Sequence, residues 1–222
     1  LGTHSRSMRL EDRSSTPGDG KVGGEGEVNG KSVAIAGDDI TVKKGSSSIV
    51  GSRRLHRLYE RAIERGMPYI YVGETGGGRI PDLIGAEGIS DIAPSPELAR
   101  RRRQIPMATV IVGQSFGGSS FQSAFSDFVV QVRGSVLAVT SPRVFEVATG
   151  EIIGFEELGG VDVHSRITGQ IDIGVDSFTE SYDAVRRWLS YLPQNAWTPA
   201  PRSSNRANLD PDQSLADMVP SK

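Results

Sequence analysis

One stretch, Met107 to Phe128 (MATVIVGQSFGGSSFQSAFSDF), restricts the architecture more than any other part of the chain. Met107 to Val112 is an apolar, β-branched run of buried-strand length, and Gly113 closes it. Beyond it Phe121, Ala124, Phe125 and Phe128 recur at i, i+3, i+4 and i+7, one face of a helix that starts near Ser119. Gly117 and Gly118 fall just before that helix, where backbone N–H groups lack intrahelical partners and act as anion donors. Without a Cβ, the backbone there admits a ligand oxygen closely. Such a turn suits a carbonyl oxygen that becomes negative during a reaction. A tight βα turn with no ligand would use the same residues.

The surrounding chain repeats the alternation of strand and helix. EGEV and KSVAIA flank Asn29-Gly30, a hairpin signal because a type I′ turn needs positive φ at both central residues. Ser52 is placed to cap a helix carrying Leu55, Leu58, Tyr59, Ala62 and Ile63, with Gly66 ending it and Pro68 preventing its return. Tyr69 to Val72 reads as a short buried strand running into Gly73-Glu74-Thr75-Gly76-Gly77-Gly78-Arg79, a second glycine turn. That turn does not fit a dinucleotide fingerprint, which needs G-x-G-x-x-G and a distant acid. Leu83 to Ser95 reads as a loop, and Glu97 to Arg103 as a short helix ending in four arginines. Val129–Val132 and Val136–Val139 follow as strands, and Ser141-Pro142 starts a helix. Ile171 to Val175 alternates as a strand, and Ser177-Phe-Thr-Glu180 is a capping box for a helix bearing Tyr182, Val185, Leu189 and Leu192. The expectation is an α/β domain over residues 18–195, with a flexible lead-in at 1–17 and a proline-rich arm at 196–222. LGTHSRS precedes Met8, so the first residues read as a tag remnant.

Composition removes several function classes. A net charge of -2 argues against a nucleic-acid surface, which needs a basic face. With no cysteine, disulfides and thiolate zinc sites are excluded, and three scattered histidines make no metal site. No apolar run approaches the ~20 residues that span a bilayer. A soluble, cytoplasmic protein without membrane or nucleic-acid partners is expected.

Two readings of the central turn compete. Gly113-Gln114-Ser115-Phe116-Gly117 matches G-x-S-x-G, the nucleophile elbow. A serine hydrolase would then use Ser115 as nucleophile, His164 as base, and Asp127 or Asp162 to orient it. The other reading weighs motifs along the whole chain: Pro17-Gly-Asp-Gly20, Asp39-Ile-Thr-Val42, Gly45-Ser46, Glu74-Thr-Gly-Gly-Gly-Arg79, Gly117-Gly118 and Ser126-Asp-Phe128. Gly150-Glu151, Phe155-Glu-Glu-Leu-Gly-Gly160 with His164, Leu189-Ser-Tyr-Leu-Pro193 and Asn195 follow in order. With these motifs the chain resembles the N-terminal half of the carboxyltransferase subunits of biotin-dependent acyl-CoA carboxylases.

The resemblance implies a crotonase-like fold, a spiral of βα-type units across whose glycine turns an acyl-CoA thioester binds. It implies that carboxybiotin on a separate carrier gives up its carboxyl group while an enolate forms at the thioester. The amides of Gly117 and Gly118 match the family's oxyanion pair. Gly76, Gly77 and Gly78 would wall the thioester pocket together with Ser115 and Phe116, and Arg53, Arg54 or the Arg100–Arg103 run would meet CoA phosphates. Glu156, Glu157 and His164 read as buried structural supports, and Asp127 as an anchor of the helix end. Gln114-Ser115-Phe116 departs from the smaller residues that family members carry ahead of the glycine pair. The implied partners are a second crotonase-like carboxyltransferase chain, a biotin carrier protein and a biotin carboxylase, the chain being one half of a split enzyme and inactive alone. A biotin-independent decarboxylase of a malonyl-type thioester and a non-catalytic scaffold subunit are the remaining alternatives.

Overall fold

The computed structural model describes residues 19–83, 100, 104–200 and 202. Strands β1 (Lys21–Val28) and β2 (Lys31–Asp38) form an antiparallel hairpin, with Asn29 and Gly30 at φ of 50° and 76°. Those are the left-handed conformations that a type I′ turn requires. From β2 onward every pairing is parallel. Strands β3 (Tyr69–Thr75), β4 (Met107–Phe116), β5 (Phe128–Val132) and β7 (Ile173–Val175) extend the sheet in the order β1-β2-β3-β4-β5-β7. Strand β4 serves two neighbours: Ala108–Ile111 pair with β5, and Gln114–Phe116 pair with β6 (Val136–Ala138). This division turns the C-terminal end of β4 out of the main sheet, where the glycine turn follows.

Parallel neighbours need crossovers, and helices supply them. Helix α1 (Ile49–Arg65) links β2 to β3 and ends at Gly66 in the left-handed conformation. Its N-cap is Ser48, whose hydroxyl accepts from the Gly51 N–H, and not Ser52 as the sequence pattern suggests. Both serines offer a cap oxygen, but the Ser48 hydroxyl also donates to Asp19 at 2.6 Å, a tie across 29 residues that no local pattern contains. The apolar face of α1 packs Tyr59, Ala62 and Ile63 against Tyr69, Tyr71 and Met107. On the opposite face of the sheet, helix α7 (Phe178–Ser190) sets Val185 and Leu189 against Val33, Ile70, Ala108, Val110 and Val130. Burying one such leucine contributes about 1.5–3 kcal/mol.

Single-turn α2 (Ile80–Leu83) follows the second glycine turn, and α3 (Gly118–Phe125) follows the first-described one. Helix α4 (Pro142–Thr149) is capped by Ser141 with proline at its start, as expected. Short α5 (Phe155–Gly159) and α6 (Val161–Val163) run into a π-turn at His164–Thr168. Apart from Leu83 and Arg100, the expected Leu83–Ser95 loop and Glu97–Arg103 helix lie outside the described residues. The arm begins attached to the domain: the Ala196 N–H donates to the Gly66 carbonyl at 2.9 Å, and the Trp197 ring lies over Gly66. No described helix is long and apolar enough to cross a membrane.

Candidate oxyanion site

Strand β4 does not stop at Gly113. It continues through Gly113-Gln114-Ser115-Phe116 because Gln114, Ser115 and Phe116 find partners in Val136, Leu137 and Ala138, a pairing that depends on β6 being brought alongside. The Glu74 side chain occupies the space a Cβ on Gly113 would take, so a larger residue there would displace it. Ser115 is therefore a strand residue. It is fully buried, and its hydroxyl donates to the Gly73 carbonyl at 2.9 Å.

The other members of the hydrolase triad are equally committed elsewhere. His164 Nε2 lies 2.7 Å from the Leu137 carbonyl, and Nδ1 lies 2.9 Å from the Thr168 hydroxyl. A carbonyl only accepts, so Nε2 carries the proton and donates, and Nδ1 accepts a hydrogen bond from the Thr168 hydroxyl. Asp127 accepts from the Met107 N–H at 2.9 Å, and Asp162 pairs at the surface with Arg133 and Arg166. The serine-hydrolase reading is thus corrected: the pattern matches a nucleophile elbow by letter, but its serine sits inside a paired strand.

The turn itself lies at Gly117, which caps α3 with φ 66° and ψ −110°, a conformation open to glycine. Its carbonyl accepts from the N–H groups of Ser120 and Phe121 at 3.0 and 3.4 Å and from the Ser120 hydroxyl at 2.7 Å. The Gly117 N–H donates to the Ala138 carbonyl at 3.2 Å, so one member of the expected oxyanion pair is engaged in the sheet. Among the described residues, the Gly118 and Ser119 N–H groups have no partner. These are the orphan donors that begin a helix and carry the positive end of its dipole.

Helix α3 also packs differently from the expectation. Its buried residues are Ser119 and Ser123, whereas Phe121 is 44% exposed. Periodicity marks which residues are apolar but not which side meets the sheet. Small serines allow a close approach there, and Ser123 satisfies its hydroxyl locally on the Ser120 carbonyl at 2.8 Å.

The second glycine turn comes directly against the first. A Cβ on Gly117 would lie 4.0 Å from Gly77 Cα, and one on Gly77 would lie 3.8 Å from Phe116 Cβ. Gly76–Gly78 is held by the loop at 44–47: Gly76 N–H donates to Lys44 O, Ser47 N–H to Gly77 O, and Arg79 N–H to Ser47 O, all at 2.8–2.9 Å. Gly77 stands at φ 100° with its N–H on the Thr75 hydroxyl. So the structure unites Gly76, Gly77, Gly78, Phe116, Gly117 and Gly118, with Ser115 behind them on the Gly73 carbonyl.

Two buried ion pairs, unmarked by any local pattern, fix this arrangement. Arg79 donates to Asp19 at 2.8 Å and to the Ser46 hydroxyl and carbonyl at 3.1 and 3.2 Å. Lys21 pairs with Asp38 and reaches the Gly45 carbonyl at 2.9 Å, while Asp38 also accepts from the Tyr71 hydroxyl and the Glu74 N–H. Burial by itself would raise the Asp19 carboxyl. Hydrogen bonds from Ser48 and Arg79, with the Arg79 charge, outweigh it and hold Asp19 below the ordinary value. Burial, then the nearby Asp38 charge, push the Tyr71 hydroxyl well up. For the first pair a signal was present in the sequence, since Asp19 lies within Pro17–Gly20 and Arg79 ends Glu74–Arg79.

A pocket of about 380 Å³ opens beside Phe116, walled by Gln114, Arg143, Ile152, Ile153 and Phe155. The Phe116 and Phe155 rings are 6.3 Å apart. Glu156 and Glu157 are exposed, not buried supports as expected; Glu157 folds back toward the Gly154 N–H as a helix cap. His164 is the structural support in this region, pinning the turn after α5 to β6 alongside Gln131, which donates to the Gly159 carbonyl at 3.0 Å. Arg53 is exposed on α1, Arg54 reaches the Lys21 carbonyl at 3.4 Å, and Arg100 is exposed. Arg101–Arg103 lie outside the described residues.

Comparison with known proteins agrees with this geometry. The family model of the carboxyl transferase domain matches residues 3–222. A propionyl-CoA carboxylase carboxyltransferase subunit of Haloferax mediterranei is 34% identical over 191 residues, covering 84% of this chain and 36% of the relative. The beta5 subunit of a biotin-dependent acetyl-/propionyl-coenzyme A carboxylase of Mycobacterium leprae is 35% identical over 207 residues, covering 92% and 37%. The crystal structure of the transcarboxylase 12S hexamer with methylmalonyl-coenzyme A bound superposes with a TM-score of 0.78 at 27% identity, covering 99% of this chain and 43% of that one. The chain thus spans little more than a third of the length of these curated relatives. The fold is the crotonase type that the resemblance implied. With two abutting glycine turns, a crotonase-type sheet and a family match over nearly its whole length, the chain belongs to the carboxyl transferase domain family.

Proposed function

We propose that this chain carries the thioester side of an acyl-CoA carboxyltransferase. Moving a carboxyl group to or from the carbon next to a thioester carbonyl leaves an electron pair that is delocalised onto the carbonyl oxygen. The chemistry needs that oxygen held, and no protein nucleophile. The observation that carries the reading is the pair of partnerless N–H groups of Gly118 and Ser119, set against the Gly76–Gly78 wall. A well-placed donor of this kind lowers the barrier by about 2.7–4 kcal/mol. The Gly117 amide would join them by releasing Ala138. The structural engagement of Ser115 and His164 fits a reaction in which neither attacks the substrate.

In this reading the substrate is a coenzyme A thioester, and Arg53 and Arg54 are the basic groups proposed for its phosphates. The carboxyl group comes from carboxybiotin on a carrier charged by a biotin carboxylase. A second chain or domain of similar fold supplies the biotin side of the site, and turnover depends on it. Support comes from the relatives, which are carboxylase subunits and a hexameric transcarboxylase.

The test uses the protein in the assembly in which it is purified. Given a malonyl-type CoA thioester labelled in its free carboxyl and free biotin, it should pass label to biotin. Release of label as carbon dioxide without biotin would instead show the decarboxylase. A folded assembly that does neither overturns the proposal.

A further inference from the structure

The loop that holds the Gly76–Gly78 wall carries three successive serines, and two of them are fully engaged. Ser46 accepts from Arg79 Nε at 3.1 Å, and Ser48 both donates to Asp19 and accepts from the Gly51 N–H. Ser47 differs. Its backbone is locked between Gly77 and Arg79 in a parallel bridge to Gly78, and the residue is 8% exposed. Yet its hydroxyl has no hydrogen-bond partner among the described residues. That hydroxyl stands 3.7 Å from where a Cβ on Gly118 would be. The Ser119 hydroxyl, one residue beyond Gly118, is buried without a partner among the described residues.

With no protein partner among the described residues, the Ser47 hydroxyl is free to donate to a ligand. The N–H groups of Gly118 and Ser119 begin the helix without partners among those residues, and a backbone bonded to Gly77 and Arg79 holds the Ser47 hydroxyl beside Gly118.

Resting on the carboxyltransferase reading, we propose that Ser47 is a further catalytic residue, whose hydroxyl donates a hydrogen bond to the same thioester oxygen as Gly118. Ser47 keeps its proton and forms no covalent bond. Its contribution grows as the oxygen becomes negative, because a donor aimed at developing charge acts chiefly in the transition state. A hydroxyl adds what an amide lacks, rotation about χ1 to follow the oxygen as the carbonyl becomes an enolate.

The experiment compares Ser47→Ala and Ser47→Thr with wild type in the purified assembly, reading kcat and KM for labelled carboxyl transfer together with the melting temperature. Ser47→Ala should lose roughly 10²-fold in kcat, the lower end of the range for one oxyanion donor, with KM little changed. Its melting temperature should hold, since no protein hydrogen bond is lost. Ser47→Thr, which keeps the hydroxyl, should recover most of the rate. Wild-type kcat in Ser47→Ala, where Gly118→Pro is dead, overturns this inference and leaves the carboxyltransferase reading standing. A rate loss that tracks a fall in melting temperature, or that threonine does not rescue, assigns Ser47 a structural role and also overturns it. A wild-type assembly without transfer removes the reading beneath it.

Discussion

Replacing Gly118 by proline separates the oxyanion role of its N–H from every structural role of the residue. Gly118 is the first residue of α3, where proline is favoured because the missing N–H would have no intrahelical acceptor. The residue before a proline must avoid the helical region. Gly117, at φ 66° and ψ −110°, occupies the mirror image of the extended region and has no Cβ to clash with the ring. Among the described residues outside its own helix and chain neighbours, a Cβ at Gly118 would meet Ser47 Oγ at an ordinary 3.7 Å. Gly118→Pro should therefore fold, and Gly118→Ala should fold and keep the N–H. Loss of one donor costs 10²–10³ in kcat, about 2.7–4 kcal/mol. Initial rates of carboxyl transfer at saturating thioester, with melting curves for all three proteins, give the comparison. Near-normal kcat in a folded Gly118→Pro assembly would refute the reasoning, as would equal losses in the alanine and proline variants.

Ser115→Ala should retain its kcat and lose about 0.5–1.5 kcal/mol of stability with the bond to Gly73, and wild type should not be labelled by a serine-directed fluorophosphonate; a stoichiometric adduct seen by mass spectrometry would revive the hydrolase. Arg79→Met leaves Asp19 buried without its cation, so denaturant unfolding should show a loss of roughly 3–5 kcal/mol, against which an unchanged midpoint would count. Because the folded Asp19 value lies below its ordinary 3.8, its contribution is fully present above about pH 4 and is lost as pH falls through the folded value. Unfolding midpoints should accordingly drop on acidification below about pH 4, and Asp19→Asn should flatten part of that drop.

What the sequence made legible was local. Asn29-Gly30 named its own turn, Ser141-Pro142 and Ser177 named their helices, and the apolar spacing from Leu55 to Ile63 named the buried face of α1. Strand extension through Gly113 was hidden because its cause is a partner strand more than twenty residues on. The choice of Ser48 over Ser52 rests on Asp19, and the outward position of Phe121 rests on how closely α3 approaches the sheet. Each is a long-range effect with no signature in spacing. The glycine pair of the site was readable from its position before a helix. Which of its amides is free was not, because Ala138 takes the Gly117 N–H through a sheet contact. Asp19 and Arg79 stood in view within motifs, yet only folding shows them to be one buried pair.

The central claim is that the Gly118 turn polarises a thioester carbonyl, and isotope-edited infrared spectroscopy of bound propionyl-CoA labelled with ¹³C at that carbonyl reads it directly. The account predicts a carbonyl stretch shifted to lower frequency on binding to wild type and to Gly118→Ala, and a return toward the free value in Gly118→Pro. A bound thioester whose stretch is unshifted in the wild type, or equally shifted in all three, would contradict it.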